Sequence, residues 1–523
     1  MTPERLLALY DRVADAPDAI ARLRRFVLDL AVRGKLVEQA PADDSASELL
    51  QLLKAERPEV AAELPPKWRS VTLGSVLDFK YGKGLKASDR LEDGPVPVFG
   101  SNGIVGYTAE ALTERSSIII GRKGSAGALN LCAGPSWTTD VAYFVEAPRF
   151  LDLQFLFLHL QTLDLDKMGK GVKPGLSRSD AYPLSLSIPP LAEQHRIVAK
   201  VEALMALLDR LAAARTARET TRDRLTTASL ARLNAPDPEP ATFQAHARFT
   251  LANLHPLTTR PDQIKPLRQT ILNLAVRGRL VEQDPEEDRS NQQKLRADAD
   301  AETYDIKSFK DRAGKFEPPQ NWTIEPLSRV SDHIVDCPHT TPKWTESGVL
   351  CIRTNQVRAG TLDLTDSRFV SEETYLVRIE RLEPQTDDIL YVREGGILGV
   401  GYRVPKHTRL CLGQRLMLIR ANKSIAPQFL ELCINSPWIA DFAAEKTTGG
   451  AAPRVNMSVV RGYPIPLPPL AEQHRIVAEV DALMALLDRL EASLATATTT
   501  RHRLLEALLH EALAPADAAL AAA

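Results

Sequence analysis

Most of the signatures that would assign a function at once are missing from this chain of 523 residues. Its five cysteines, Cys132, Cys337, Cys351, Cys411 and Cys433, are scattered with no C-x-x-C pair. That argues against a disulfide framework or a cysteine zinc site and fits a reducing compartment. No run approaches the roughly 18 apolar residues needed to span a bilayer. The opening MTPERLLALYDRVAD is broken by Glu4, Arg5, Asp11 and Arg12, so a cytoplasmic protein without a secretory signal is expected. Net charge is only −2, so any surface for nucleic acid must be local.

Catalytic motifs are equally scarce. No G-x-x-x-x-G-K-[ST] loop is present to cradle the phosphates of ATP. The Pro-Pro pairs read LPPK, EPPQ, IPPL and LPPL, and none is the N/D-P-P-Y/F tetrapeptide expected for DNA amino-methylation. Gly121, Gly124 and Gly127 follow a strand-like run but open no evident helix. His195 and His474 have no second ligand at helical spacing and read as polar surface. Asp336-Cys337-Pro338-His339 lacks matching ligands elsewhere. The expectation is a chain without bond chemistry, metal or cofactor of its own.

What the chain does have is repetition. PPLAEQHRIVAKVEALMALLDRL from Pro189 and PPLAEQHRIVAEVDALMALLDRL from Pro468 differ only at Lys200/Glu479 and Glu202/Asp481. A second pair, PDAIARLRRFVLDLAVRGKLVEQ from Pro17 and PDQIKPLRQTILNLAVRGRLVEQ from Pro261, agrees at 15 of 23 positions. Apolar spacing at Ile20, Leu23, Val27 and Leu30, matched by Ile264, Leu267, Ile271 and Leu274, predicts a helix in each. Gly34 and Gly278 fit the left-handed position just past such a helix.

The order is therefore helix type one, insert, helix type two, then the same again. A chain this long needs two to four domains. We place them at 1–67 (N-terminal helical region), 68–188 (first head), 189–321 (central helical region and linker), 322–467 (second head) and 468–523 (C-terminal repeated helix). LPPKW and EPPQNW open the heads, while AYPLSLSIPP and GYPIPLPP close them. Short β-branched and aromatic runs between Gly, Pro, Asn and Asp turns predict compact α/β heads with a twisted sheet. By eye they share little beyond their edges. The charged stretch 284–316 reads as a mobile linker, like the Ala- and Asp-rich stretch after Gln39.

In the second long helix, Ile476, Val480, Leu483, Leu487, Leu490, Leu494, Ala497, Arg501, Leu504 and Leu508 form a seam of period 3.5. The first copy begins alike, then meets Arg215, Arg218 and Arg222. A shift onto Ala214, Arg218, Thr221, Leu225 and Ala228 reads better and predicts a change of register. Seams this long predict that the two helices pack on each other. Ile197 to Leu233 would reach roughly 54 Å at 1.5 Å per residue, more than the roughly 34 Å turn of B-DNA.

Basic, Gly-rich loops in the heads are the candidates for contact with DNA. KMGKGVKPGLSR carries Lys170, Lys173 and Arg178, and GRKG carries Arg122 and Lys123. GSNGIVGY supplies Ser101 and Asn102. In the second head, residues 395–430 hold Arg403, Lys406, Arg409, Arg415, Arg420 and Lys423 and not one Asp or Glu. TTGGAAPRVN, with Arg454 and Asn456, falls where KMGKGVKPGLSR does in the first head. Lys and Arg suit phosphates, and Arg, Asn and Ser suit base edges.

This layout resembles the specificity (S) subunits of type I restriction-modification systems over nearly the whole chain. The PPLAEQHRIV elements, the TTGGAAPRVN loop and DCPHTTPKWTESGVLCIRTNQVRAG, which adds Arg353 and Asn355, carry the resemblance. It implies an α+β protein in which two α/β target recognition domains are separated by a long antiparallel, pseudo-twofold helical coiled coil. Each domain would read half of a split DNA target. Pro190, Leu191, Glu193, Gln194, Pro469, Leu470, Glu472 and Gln473 would dock two methyltransferase subunits, which bind S-adenosylmethionine. A restriction subunit using ATP and Mg could join. The readings left beside it are a self-contained DNA methyltransferase or nuclease with unrecognised motifs, and a coiled-coil adaptor that binds only proteins.

Overall fold

A computed structural model describes residues 15–44, 64–170, 175–235, 240–297, 303–449 and 453–513. The chain forms two compact units, residues 1–219 with 497–523 and residues 220–496. The division falls inside both long helices, Leu191–Asn234 and Leu470–Leu513. Among the described residues, no helix is long and apolar enough to cross a membrane.

Each unit carries one head, and both heads use the same strand order. In the first, an antiparallel sheet runs Lys80–Tyr81, Ala142–Val145, Ser117–Gly121, Leu129–Cys132. In the second it runs Ser331–Asp336, Leu416–Ala421, Ile389–Val392, Gly401–Arg403. A second small sheet holds a parallel pair in each head: Val96–Phe99 with Trp137–Thr138, and Val349–Ile352 with Leu410–Leu412. A third, Arg69–Thr72 with Ser185–Ile188 or Thr323–Pro326 with Pro464–Leu467, closes the head where its chain enters and leaves. The heads thus hold several small sheets rather than one, and they share a frame that their sequences conceal.

The first repeated helix is Ala19–Val32 in one unit and Ile264–Val276 in the other. Gly34 and Gly278 take φ of 68° and 66°, the left-handed conformation expected after each. A Cβ there would lie 2.4 Å from Pro65 Cγ or 2.5 Å from Pro319 Cγ. The Pro-Pro-Trp landmarks therefore pack on the helix ends.

In the first unit, Val27, Leu28 and Ala31 share a core with Ile197, Val201 and Leu208 of the first long helix. Ala16 and Ala19 pack on Leu505 and Leu508 from the end of the second. In the second unit, Ile476 and Val480 enter the head core. Leu487 joins Ile264, Leu267, Leu230 and Leu233, the last two from the end of the first long helix. Each unit thus combines the start of one long helix with the end of the other.

Two expectations are corrected. The first long helix does not shift register after Leu211: Arg215, Arg222, Thr226, Ser229 and Leu233 face inward, while Ala214, Thr221, Leu225 and Ala228 are exposed. Arginine tolerates that inward face because its guanidinium finds carbonyls. Arg215 Nη1 donates to Ala16 O at 2.9 Å and Arg222 Nε to Pro256 O at 2.7 Å. Nor is 284–316 a free linker in its described part. Asn291 is buried and its amide donates to Ser424 O and Pro468 O, both at 3.0 Å. Ile306–Ala313 is a helix capped by Asp305, and Phe316 is in the core. Asp43 forms a bidentate pair with Arg196 at 3.1 and 2.6 Å. Residues 45–63 and 298–302 lie outside the described residues.

Candidate nucleic-acid interface

At the base of each head, the start of the long helix is locked to the sheets by one repeated set of bonds. Trp68 Nε1 donates to Glu193 Oε1 and Trp322 Nε1 to Glu472 Oε2, each at 3.0 Å. Gln194 accepts from Asp152 N at 2.7 Å and donates to Phe150 O and Pro189 O. Gln473 accepts from Ala426 N at 2.7 Å and donates to Ser424 O and Pro468 O. Burial pushes both glutamate carboxyls above their usual range, and the tryptophan donors partly offset it. The docking role expected for these residues needs correction. Glu193, Gln194, Glu472 and Gln473 are fully buried, Pro190 and Pro469 are buried, and Leu191 and Leu470 are half-buried. They are internal clamps.

At the far edge of the sheets, register aligns the two tips. Arg122 N donates to Val141 O at 2.9 Å after Gly121, and Arg393 N donates to Arg415 O at 3.2 Å after Val392. Lys123 and Lys170 bridge to Gly175, as Glu394 and Thr448 bridge to Arg454. The two loops matched by sequence position therefore close against the same strand end in both heads. Ser101 and Asn102 follow Phe99, which pairs with Thr138; Thr354 and Asn355 follow Ile352, which pairs with Leu412.

The first head gathers its candidates around Tyr81. The Arg178 guanidinium lies 4.2 Å and that of Arg122 5.3 Å from the ring centroid. Arg122 Nε and Nη2 donate to Asp140 O at 3.0 and 2.5 Å. Lys123 and Asn102 are exposed, and Ser101 is half-buried. Lys170 Nζ donates to Asp180 Oδ1 at 2.9 Å. Lys173 lies outside the described residues.

The second head scatters them. Arg415, exposed at φ 67°, stands beside Arg393, and Arg454 and Asn456 are exposed on the loop. Asn355 and Lys406 are exposed too. Arg403 sits on the sheet's outer strand, held by Glu431 and Asp387 at 2.6 Å each. Arg409 pairs with Glu372 over the Tyr375 ring, and Arg353 Nη2 donates to Asp366 Oδ2 at 2.5 Å. These three guanidinium groups are already committed to carboxylates.

Sequence reasoning missed Tyr81, Lys83, Arg393 and Glu394. KYGKG was legible as basic and aromatic residues interleaved. Its Gly82 allows the chain to run against Thr139, where a Cβ would lie 2.1 Å from the carbonyl oxygen. Asp336 pairs with Arg393 at 3.1 Å and with His339 at 3.2 Å, so the DCPH stretch is an ion-pair cluster at the second tip.

Two like frames bearing loop-rich, unlike tips on repeated helices define a class. Residues 65–218 and 353–496 match the family model described as type I restriction modification DNA specificity domain, and the chain belongs to that family. Among its relatives, the type I restriction enzyme EcoEI specificity subunit of Escherichia coli is 25% identical, covering 94% of this chain and 94% of the relative. The EcoAI specificity subunit of Escherichia coli is 24% identical with the same coverage of 94% on both sides. The crystal structure of the HsdS subunit from Thermoanaerobacter tengcongensis is similar at 19% identity and a TM-score of 0.43, covering 87% of this chain and 98% of that one.

Proposed function

We propose that this chain is the non-catalytic DNA-reading subunit of a cytoplasmic type I restriction-modification complex. The heads, 68–188 and 322–467, each read one half of an asymmetric bipartite target with unspecified bases between. The observation that carries this is one clamp, with the same tryptophan, glutamine and arginine bonds in both copies, bearing two tips of different charge. The long helices set the gap as an antiparallel, pseudo-twofold pair, a reading supported by each unit holding the start of one helix and the end of the other. S-adenosylmethionine belongs to the methyltransferase subunits that dock here, and ATP and Mg to a nuclease subunit if one joins.

The dock moves from the buried Pro-Pro-Leu-Ala-Glu-Gln motif to the outer face of the same helix. His195, Ala199, Ala203, Ala206, Leu207 and Arg210 are exposed, and the second copy exposes the same residue at each equivalent position. Leu207 is 44% and Leu486 45% exposed. Internal packing does not constrain such residues. Their identity in both copies fits two copies of one partner.

Replacing residues 68–188 with another head, in the reconstituted complex, should change one half of the recognised site and leave the other half and the gap intact. A change in both halves would contradict modular reading. Methyl transfer by the purified chain alone would contradict the non-catalytic assignment.

A further inference from the structure

We infer that Arg178, stacked on Tyr81, is a specificity-determining residue of the first head and takes the edge of a guanine in its half-site. This rests on the DNA-reading function proposed above and names the residue and base through which that head discriminates.

Arg178 opens the short helix Arg178–Ala181, directly after the Gly-rich loop, with Ser177 as its N-cap. Its guanidinium carbon lies 4.2 Å from the Tyr81 ring centroid and 5.6 Å from that of Tyr143. Tyr143 is fixed in turn by its hydroxyl, which donates to Leu176 O at 3.1 Å. Tyr81 is 54% exposed, unusual for a ring with no core role. Stacking of this kind restrains a side chain that otherwise samples many rotamers.

Beyond these rings, the arginine so restrained has no polar partner among the described residues. Its Nε is buried without a hydrogen-bond partner, and among the described residues its side chain has no carboxylate or carbonyl partner. A base would reach the terminal Nη groups of Arg178 rather than the buried Nε, and among the described residues no carboxylate or carbonyl accepts from them. The nearby acid does not supply it, because Asp180 is occupied by Lys170 and Ser177. Arg122, the other guanidinium on Tyr81, already donates to Asp140 O. Arg178 therefore offers the free planar fork of this tip. Guanine O6 and N7 accept such a fork in the major groove. Lys123, exposed on the same tip, suits a phosphate that positions the duplex.

The second head has no counterpart. Its loop helix, Met457–Arg461, follows Asn456 as N-cap and begins with methionine. Asp336, register partner of Met417, stands where Tyr81 pairs with Tyr143.

The test uses the reconstituted complex with the full chain and a duplex library randomised in the first half-site, the second held fixed. The unaltered complex should require guanine at one position. Arg178→Lys keeps the charge and loses the fork, so discrimination at that position should fall roughly 10- to 100-fold with the other positions unchanged. Tyr81→Ala should weaken the same position, and Tyr81→Phe, which keeps the ring, should restore it. Retained selectivity for the second half-site reports an intact fold. Unchanged preference in Arg178→Lys, an equal loss on every sequence as for a phosphate contact, or a first half-site without guanine on either strand would overturn the assignment. Absence of any sequence selection by the unaltered complex would instead remove the DNA-reading function itself.

Discussion

Tyr81, Arg122, Lys123 and Arg178 crowd the tip of the first head, whereas Asp336, Arg393, Glu394 and Met457 occupy the corresponding positions of the second. One tip is basic and aromatic; in the other, an arginine is held by two acids at 3.1 and 2.8 Å. Below these tips the main polar bonds recur. Tryptophan to glutamate, glutamine to three backbone groups, and arginine to carboxylate recur with the same partners, the last as Arg196–Asp43 and Arg475–Glu287. Burial explains the contrast. A polar group in the interior must keep its partners or cost stability, so the base cannot drift. An exposed tip side chain is bound only by what it recognises.

That comparison can be pressed at several points. The strongest effect is expected at the clamps. Gln194→Ala strands the Asp152 N–H and the carbonyls of Phe150 and Pro189, and should lower the stability of its unit by about 4 kcal/mol. Gln473→Ala strands the Ala426 N–H but leaves Ser424 O and Pro468 O with the Asn291 amide, and should cost about 2 kcal/mol. Denaturant unfolding of the two variants checks this, and a larger loss at Gln473 than at Gln194 would contradict it.

Acid should separate the heads. Burial drives the His159 imidazole from 6.5 to about 4, and its Nε2 accepts from Ser187 N at 3.0 Å. The folded state therefore favours the neutral ring. Its contribution is complete above pH 6.5 and fades as pH falls toward 4, because the unfolded chain takes up the proton first. The loss approaches about 3 kcal/mol. Cys433 stands at the matching place, counted from the amide that each glutamine holds. His159→Cys should remove this acid sensitivity from the first unit, which unfolding followed between pH 7 and 4 would report.

Gly34→Ala and Gly278→Ala should each cost about 2 kcal/mol, since both force a side chain into the left-handed region and against a proline. Thermal unfolding should show similar losses in both. The smallest effect on the chain itself is expected from Leu207→Arg and Leu486→Arg, exposed changes that should leave stability within about 0.5 kcal/mol. If each copy docks one methyltransferase subunit as proposed, each change should remove one of them, measured by the mass of the assembled complex.

Much of the architecture was legible because repeats expose it. The two helix types, their glycine ends and the edges of the heads all follow from residues that recur. The common sheet order of the heads was not legible, because strands such as SSIIIG and DILYV keep only their burial pattern while their residues differ. The inward arginines of the first long helix are not legible, because period alone assigns charge to solvent. Arg215 and Arg222 reach carbonyls that no helical pattern reveals. Repetition of the PPLAEQ motif fits a dock and an interior clamp equally, and only its burial separates the two. At the tips, charge showed which loops matter, but Arg403 and Arg409 found carboxylates distant in sequence.

The most direct test maps methylated bases across the genome of the source cell with and without this chain. Two unlike heads on one repeated frame predict methylation at a split motif whose halves differ and whose gap is constant, lost when the chain is removed. A contiguous or palindromic motif, or methylation that persists without the chain, would contradict the account.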